Sequence, residues 1–178
     1  MGKRFSIRQG TAWFFMQKVR KAMKSSQRYP LEKLIHVDEF TVGGKEEGKQ
    51  GRSYDTKKKK AIIAVELTDS NKVKRVYIKS INDYSAKSLT PILTDKWRGY
   101  EPLKEAYNIE QIYSNNGTNF KQLHIVIMQV KSWLRAIPTH VSKWHIQAYF
   151  DEFCFRINRS QYKTSIFHKI ILRMVESK

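Results

Sequence analysis

Ala61-Ile-Ile-Ala-Val-Glu-Leu67 and Val73-Lys-Arg-Val-Tyr-Ile78, with the turn formers Asp69-Ser70-Asn71 between them, decide the architecture of this chain. Both runs are rich in β-branched residues, so the stretch reads as two strands joined by a tight turn. Upstream, Leu34 to Phe40 reads as a strand carrying Asp38 near its end. The segment from Gly43 to Lys60 is polar, glycine-containing and basic, with Gly43-Gly44, Gly51-Arg52 and the run Lys57 to Lys60. It reads as a long hairpin connection. The first half is thus a three-strand meander.

Downstream, Ile92-Leu93-Thr94 leads straight into Asp95, and Ile109 to Tyr113 reads as one more short strand. From Asn119 the period becomes helical. Phe120, Leu123, Ile127, Val130 and Leu134 form one stripe, and Ile146, Tyr149, Phe150, Phe153 and Ile157 a second. Ile166, Phe167, Ile170, Ile171 and Met174 form a third. Near the N-terminus, residues 11–24 read as a basic amphipathic helix with Thr11 as its cap, ended by Tyr29-Pro30. It is read first as a packing element and second as a DNA reader. A meander followed by a crossover into a parallel strand describes an α/β fold of RNase H-like, retroviral-integrase type: a mixed sheet flanked by helices. The crossover is short. Only Ile81 to Pro91 is available for a connection that usually takes a dozen or more residues.

The 178 residues include 34 Lys+Arg against 16 Asp+Glu, a formal net charge of +18. An apolar fraction of 40% excludes a disordered basic tail. One cysteine, Cys154, excludes a disulfide scaffold and a cysteine-built zinc site. Neither a signal peptide nor a run long enough to span a membrane is present in the sequence. The expectation is a soluble cytoplasmic protein that binds nucleic acid or another polyanion.

Asp38 and Asp95 stand at the ends of strands expected to neighbour each other. Two such carboxylates make a hard-oxygen site for Mg²⁺ or Mn²⁺, and a pair of ions can stabilise both the attacking and the leaving oxygen at phosphorus. Taken singly, each Asp also reads as an ordinary turn residue. His124 and Lys131 lie seven residues apart, two turns of helix, and so share a face. They fit a metal ligand and a phosphate contact, or a half-buried histidine and a solvated lysine. Glu39 alternates to the other strand face and reads as structural. Asp151 and Glu152 read as capping or as partners of Arg156 rather than metal ligands. Trp97, Trp133 and Trp144 read as core.

The ordered motifs His36-Val-Asp-Glu-Phe-Thr-Val-Gly-Gly44, Gly51-Arg-Ser-Tyr-Asp-Thr-Lys-Lys58 and Leu93-Thr-Asp-Lys-Trp-Arg-Gly-Tyr100 form a series. It continues through Leu123-His-Ile-Val-Ile-Met-Gln-Val-Lys-Ser-Trp-Leu-Arg135 and Gln147-Ala-Tyr-Phe-Asp-Glu-Phe-Cys-Phe-Arg-Ile-Asn-Arg159. The series closely resembles the ISXO-type transposases of bacterial insertion sequences, within the DDE superfamily, over roughly residues 11–175. The resemblance implies metal-dependent cleavage at transposon ends followed by attack of a free 3′-hydroxyl on target DNA. It implies Asp38 and Asp95 as the two catalytic aspartates, His124 at the third metal-ligand position and Lys131 as a catalytic DNA contact, with two Mg²⁺ or Mn²⁺ ions. Arg52, Lys57, Lys58, Lys59, Lys60, Lys96, Arg98 and Arg135 would join Lys131 in contacting phosphates. DNA and further copies of the chain are the partners implied, with nucleoid association when bound and no membrane.

The sequence departs from that pattern in two places. Relatives usually carry an N-terminal zinc ribbon and helix-turn-helix, so residues 1–30 are expected to be a remnant of that region and 31–178 the catalytic domain. Relatives also have a longer stretch around Ser88 to Thr94, which marks a shortened crossover. An inactive, shortened transposase, a noncatalytic DNA-binding remnant and a stand-alone RNase H-like nuclease all remain open on these residues.

Overall fold

The computed structural model describes residues 5–26, 29–43, 58–81, 92–94, 109–137 and 141–176. Strands β1 (Ile35–Val42), β2 (Lys59–Leu67), β3 (Val73–Ile81), β4 (Ile92–Thr94) and β5 (Ile109–Gln111) form one sheet in the order β3-β2-β1-β4-β5. β1, β2 and β3 are antiparallel neighbours, whereas β4 runs parallel to both β1 and β5. The helices are α1 (Gln9–Met23), α2 (Lys121–Arg135), α3 (Ile146–Asn158) and α4 (Ser165–Glu176). The architecture is mixed α/β, as expected from the sequence.

Strand alternation sorts the side chains. His36, Asp38 and Phe40 of β1 share one face, and Ile35, Val37 and Glu39 the other. On the first face Phe40, Ala61, Ile63, Val65, Leu67, Val76 and Ile78 pack against Leu123, Val126, Ile127, Val130 and Leu134 of α2. Ile146, Tyr149, Phe150 and Phe153 of α3 complete this core. Full burial of each such side chain contributes roughly 1.5–3 kcal/mol. The second face holds a smaller cluster of Ile35, Val37 and Ala64 with Leu31 and Ile62. Glu66 is fully buried there and pairs with Lys74 at 2.9 Å and Arg75 at 3.0 Å. Burial alone would raise its carboxyl pKa, but these two cations outweigh it and hold the group below the usual carboxylate range.

β3 lies at the edge of the sheet, where every second residue turns its backbone polar groups away from β2. α3 satisfies them. The Val76 N–H donates to Asn158 Oδ1 at 2.7 Å, and Asn158 Nδ2 donates to the Val76 carbonyl at 2.9 Å. The Ser80 N–H donates to Gln147 Oε1 at 2.8 Å, and Gln147 Nε2 donates to the Ile78 carbonyl at 3.0 Å. Cys154 sits between these amides, its thiol hydrogen-bonded to the Ile78 backbone. Gln147, Cys154 and Asn158 are spaced i, i+7, i+11 and therefore line one side of the helix. Burial pushes the Cys154 thiol up to about 12, so it stays neutral and unreactive.

α3 also holds α1. Glu152, buried, accepts from Arg20 Nε of α1 at 2.8 Å and from Arg156 Nη2 at 2.7 Å. The Arg20 guanidinium also lies 4.0 Å from the Tyr149 ring centroid. Arg173 of α4 donates to the Lys24 carbonyl just beyond α1, at 2.6 Å.

Several sequence expectations are corrected. β1 extends through Thr41 and Val42, two β-branched residues paired with Lys60 and Lys59, so Asp38 lies mid-strand rather than at a strand end. The same pairing draws Lys59 and Lys60 out of the expected loop into β2, where Lys60 is buried. α1 begins at Gln9, ahead of Thr11, and Arg8 at its N-cap makes no side-chain capping bond. The helix expected from Asn119 is a 3₁₀ segment over Asn115–Phe120 followed by α2. α4 buries no residue, and its Phe167 is exposed. Trp133 packs against the core, Trp144 is 80% exposed, and Trp97 lies outside the described residues. The crossover, residues 82–91, also lies outside them. Ile81 stands level with Lys60 and hence Thr41, and Leu93 is level with His36. The ends to be joined are then about 25 Å apart, by strand rise and strand spacing. Ten residues can reach that far at about 3.3 Å each.

Asn158→Ala removes both partners of the Val76 peptide and is expected to destabilise the fold by about 1–3 kcal/mol. Arg156→Ala, on a side chain that is 61% exposed, is expected to cost about 1 kcal/mol or less. Urea unfolding of the two variants compares them directly. Equal losses would show that the side chains of α3 do not secure the strand edge.

Candidate active site

Asp38 sits half-buried in the middle of β1, on the face covered by α2, and its Oδ1 accepts the Glu39 N–H at 2.7 Å. Two contacts fix the course of α2 over this strand. At one end the buried His36 ring meets Phe120 edge-on, with centroids 5.1 Å apart. At the other, Lys131 Nζ stands 5.7 Å from the Phe40 ring centroid. Four residues of helix rise about 6 Å and two residues of strand about 6.6 Å. His124 thus stands one helical turn beyond the His36–Phe120 contact, as Asp38 stands two strand residues beyond it. A separation of seven residues turns a helix to within about 20° of its starting direction, so Lys131 follows His124 along the same flank.

The electrostatics tie Lys131 to Asp38. Burial lowers the Lys131 pKa, while the charge of Asp38 opposes that shift and favours the ammonium form. Burial also lowers the His36 pKa, which keeps the ring neutral. His36 Nδ1 is buried and has no hydrogen-bond partner among the described residues. Asp38 is thus flanked on its own strand face by a neutral imidazole and a phenyl ring, with a cation opposite.

His124 is held from below by a turn. Asn115, Asn116 and Gly117 all adopt positive φ, and the Gly117 N–H donates to the Ser114 carbonyl at 2.9 Å and to Ser114 Oγ at 3.2 Å. A Cβ on Gly117 would stand 2.7 Å from His124 Nδ1 and 2.9 Å from Cε1. Glycine is required here twice, for its φ of +86° and for the close approach of the imidazole.

Of the residues singled out from sequence, the structure brings Asp38 and Lys131 within electrostatic reach and sets His124 on the same flank. Asp95, Lys96, Arg98, Arg52 and Lys57 lie outside the described residues. Thr94, directly before Asp95, is buried, and its carbonyl accepts the Ile112 N–H at 3.0 Å. Lys58 and Lys59 are half-buried at the start of β2, Lys60 is buried, and Arg135 is exposed at the end of α2. Among the described residues no three His, Cys, Asp or Glu side chains form a group able to hold a metal ion. Asp38 offers a hard carboxylate oxygen and His124 an imidazole nitrogen. This pair suits one side of a Mg²⁺ or Mn²⁺ site and needs a further oxygen donor to complete it. Sequence reasoning missed His36, which alternates onto Asp38's face, and Gly117, whose Asn-Asn-Gly setting signalled a turn. Glu152 and Asp151 are structural: the first pairs with Arg20 and Arg156, and the second accepts from Gln147 Nε2 at 3.0 Å.

Compared with known families, residues 30–158 match the model of the ISXO2-like transposase domain. The chain belongs to this family. No curated protein and no solved structure matches it. The matched region of this DDE-type transposase holds all five strands, α2 and α3, and ends on Asn158, the residue that closes the β3 edge. α1 and α4 lie outside the match. No helix among the described residues is long and apolar enough to cross a membrane.

Gly117→Ala is expected to destabilise this transposase domain by about 1–3 kcal/mol and to shift the His124 ring resonances in NMR spectra. Gly10→Ala is the control, since nothing lies within 4 Å of a Cβ at that position of α1. It is expected to be neutral or stabilising by about 0.5–1 kcal/mol. Unmoved His124 resonances in Gly117→Ala would show that the turn does not orient the imidazole.

Proposed function

We propose that this chain carries the catalytic domain of an insertion-sequence transposase, with an RNase H-like sheet, that nicks DNA at transposon ends and joins the freed 3′-hydroxyl to target DNA. The observation that carries this reading is the approach of Lys131 on α2 to Asp38 on β1 in a member of a transposase family. The strand order, an antiparallel meander extended by two parallel strands, supports the RNase H-like assignment. Asp95 follows Thr94 in the chain, and Leu93 pairs with His36 on the strand that carries Asp38. Asp95 is two residues beyond Leu93 in the sequence, as Asp38 is two residues beyond His36. We therefore assign Asp38, Asp95 and His124 as the residues that would hold Mg²⁺ or Mn²⁺.

A divalent ion bound there supplies Lewis-acid stabilisation to the oxygens that attack and leave at phosphorus. The residues do the rest. Asp38, fixed by the β1–β2 ladder and by the Glu39 N–H, presents its carboxylate without having to be ordered at the moment of reaction. The Gly117 turn sets the rotation of the His124 imidazole. Lys131 keeps its charge beside Asp38 and orients a phosphate, while Arg135, Lys58 and Lys59, with Lys96 and Arg98 from sequence, hold the backbone of the duplex without reading its sequence. Synapsis of two ends calls for more than one copy of the chain.

A nicking and strand-transfer assay on the element's own ends tests the proposal. Products are expected with Mg²⁺ or Mn²⁺ and not with chelator, and Asp38→Asn should lower their yield at least about a hundredfold while DNA is still retained. Cleavage indifferent to Asp38→Asn would refute the assignment. DNA retention with no products at all would identify a binding protein that has lost its chemistry. Full strand transfer by His124→Ala would remove His124 from the ligand set.

A further inference from the structure

Aromatic side chains gather on the surface where α1 passes the segment leading into α3. Trp13 meets Phe14 edge-on at 5.1 Å and His145 edge-on at 5.2 Å between ring centroids. Beside His145 in the chain, Trp144 is 80% exposed, and Phe14 is 66% exposed. Large rings this open contribute little to the core, so folding alone does not explain them.

Charge narrows what could cover them. Residues 1–31 contain eight Lys or Arg and no Asp or Glu, and residues 111–150 contain four Lys or Arg and again no Asp or Glu. Lys18 and Lys21 are exposed on α1, and Lys143 Nζ lies 4.9 Å from the Trp144 ring centroid. Of the carboxylates on neighbouring elements, Asp151 accepts from Gln147, Glu152 is buried between Arg20 and Arg156, and Glu176 lines a pocket with Lys21 at the far end of α1. The surface around the rings is therefore predominantly cationic and carries open π-faces. A second copy of this chain would bring the same excess of positive charge against it. A nucleic-acid strand with unpaired bases satisfies both features: phosphates meet the lysines and bases stack on the rings. A fully paired duplex keeps its base faces covered and would use only the lysines.

We propose that Trp144, Phe14 and Trp13, with Lys143 beside Trp144 and Lys18 one turn along α1 from Phe14, form a stacking platform for single-stranded DNA. The choice of DNA over RNA rests on the transposase reading above; the stacking itself does not. The platform would hold a strand with its bases unpaired.

Fluorescence anisotropy with the full chain in EDTA, using a labelled oligo(dT) strand, a duplex of equal length and oligo(U), tests this apart from any metal-dependent chemistry. The single strand is expected to bind more tightly than the duplex. Trp144→Ala and Phe14→Ala should each weaken oligo(dT) binding at least about fivefold, the lower end of what one stacked base is worth. Duplex binding should change less than about twofold by the same reasoning. Lys18→Gln, on an exposed lysine of α1, should weaken both ligands alike, since it removes a phosphate contact. Equal losses on strand and duplex, or no loss on either, would overturn the platform. Tighter binding of oligo(U) than of oligo(dT) would overturn the DNA assignment. A chain whose sedimentation shows a dimer that Trp144→Ala disperses would mark the rings as a self-association face instead.

Discussion

The outer edge of β3 imposes the constraint on which the other arrangements depend. A strand at the rim of a sheet exposes N–H and C=O groups that must find partners. Here they find them in the side chains of a helix, with Asn158 and Gln147 acting as detached peptide groups and Cys154 between them. This fastens α3 along the sheet by directional bonds as well as by apolar contact. Once α3 is fixed, Tyr149 and Phe153 present a surface against which Trp133 of α2 packs, at 6.1 and 5.7 Å between ring centroids. Glu152 on the same helix becomes the buried anion to which α1 docks. The position of α2 over β1, and with it the relation of Lys131 to Asp38, follows from a hydrogen-bonding problem at the opposite edge of the meander.

The proposed site combines rigid and adjustable parts. Asp38 belongs to a strand paired on both sides, to β2 along its length and to β4 through His36 and Leu93. Lys131 gives up some of its preference for the ammonium form on burial and recovers part of it from Asp38. His124 depends on a turn of three successive positive-φ residues, a conformation that must be secured by its surroundings. A carboxylate, an imidazole and a lysine carry less negative charge than a set of acids alone. That balance suits a chain whose net charge is already +18 and whose proposed substrate, DNA, brings its own phosphates.

Much of the fold was legible in the sequence. Val, Ile and Ala alternate or run together in β2 and β3, and the helical stripes of α2 and α3 coincide with buried residues, because periodicity reports which face is covered. What escaped were properties decided by distant neighbours. Trp144 and Phe167 look like core residues by type, yet nothing in their own segments says that no element among the described residues covers them. Lys60 looks like part of a solvated lysine run, yet cross-strand pairing with Thr41 buries it. The i, i+7, i+11 polar stripe of Gln147, Cys154 and Asn158 was visible on an otherwise aromatic helix, but its partner is a backbone edge 67 to 82 residues away. At the site, the spacing of His124 and Lys131 could be read directly, whereas the approach of Lys131 to Asp38 required the packing of α2 on β1.

The central claim is that a divalent ion binds between β1, the end of β4 and the flank of α2. Replacing that ion with Fe²⁺ and generating hydroxyl radicals at it maps its position directly, because the polypeptide is cut next to the metal. The account predicts cuts confined to the neighbourhoods of residues 36–40, 93–96 and 121–131, all lost on competition with excess Mg²⁺. Cuts centred elsewhere, or the same pattern from a protein bearing Asp38→Asn, would contradict it.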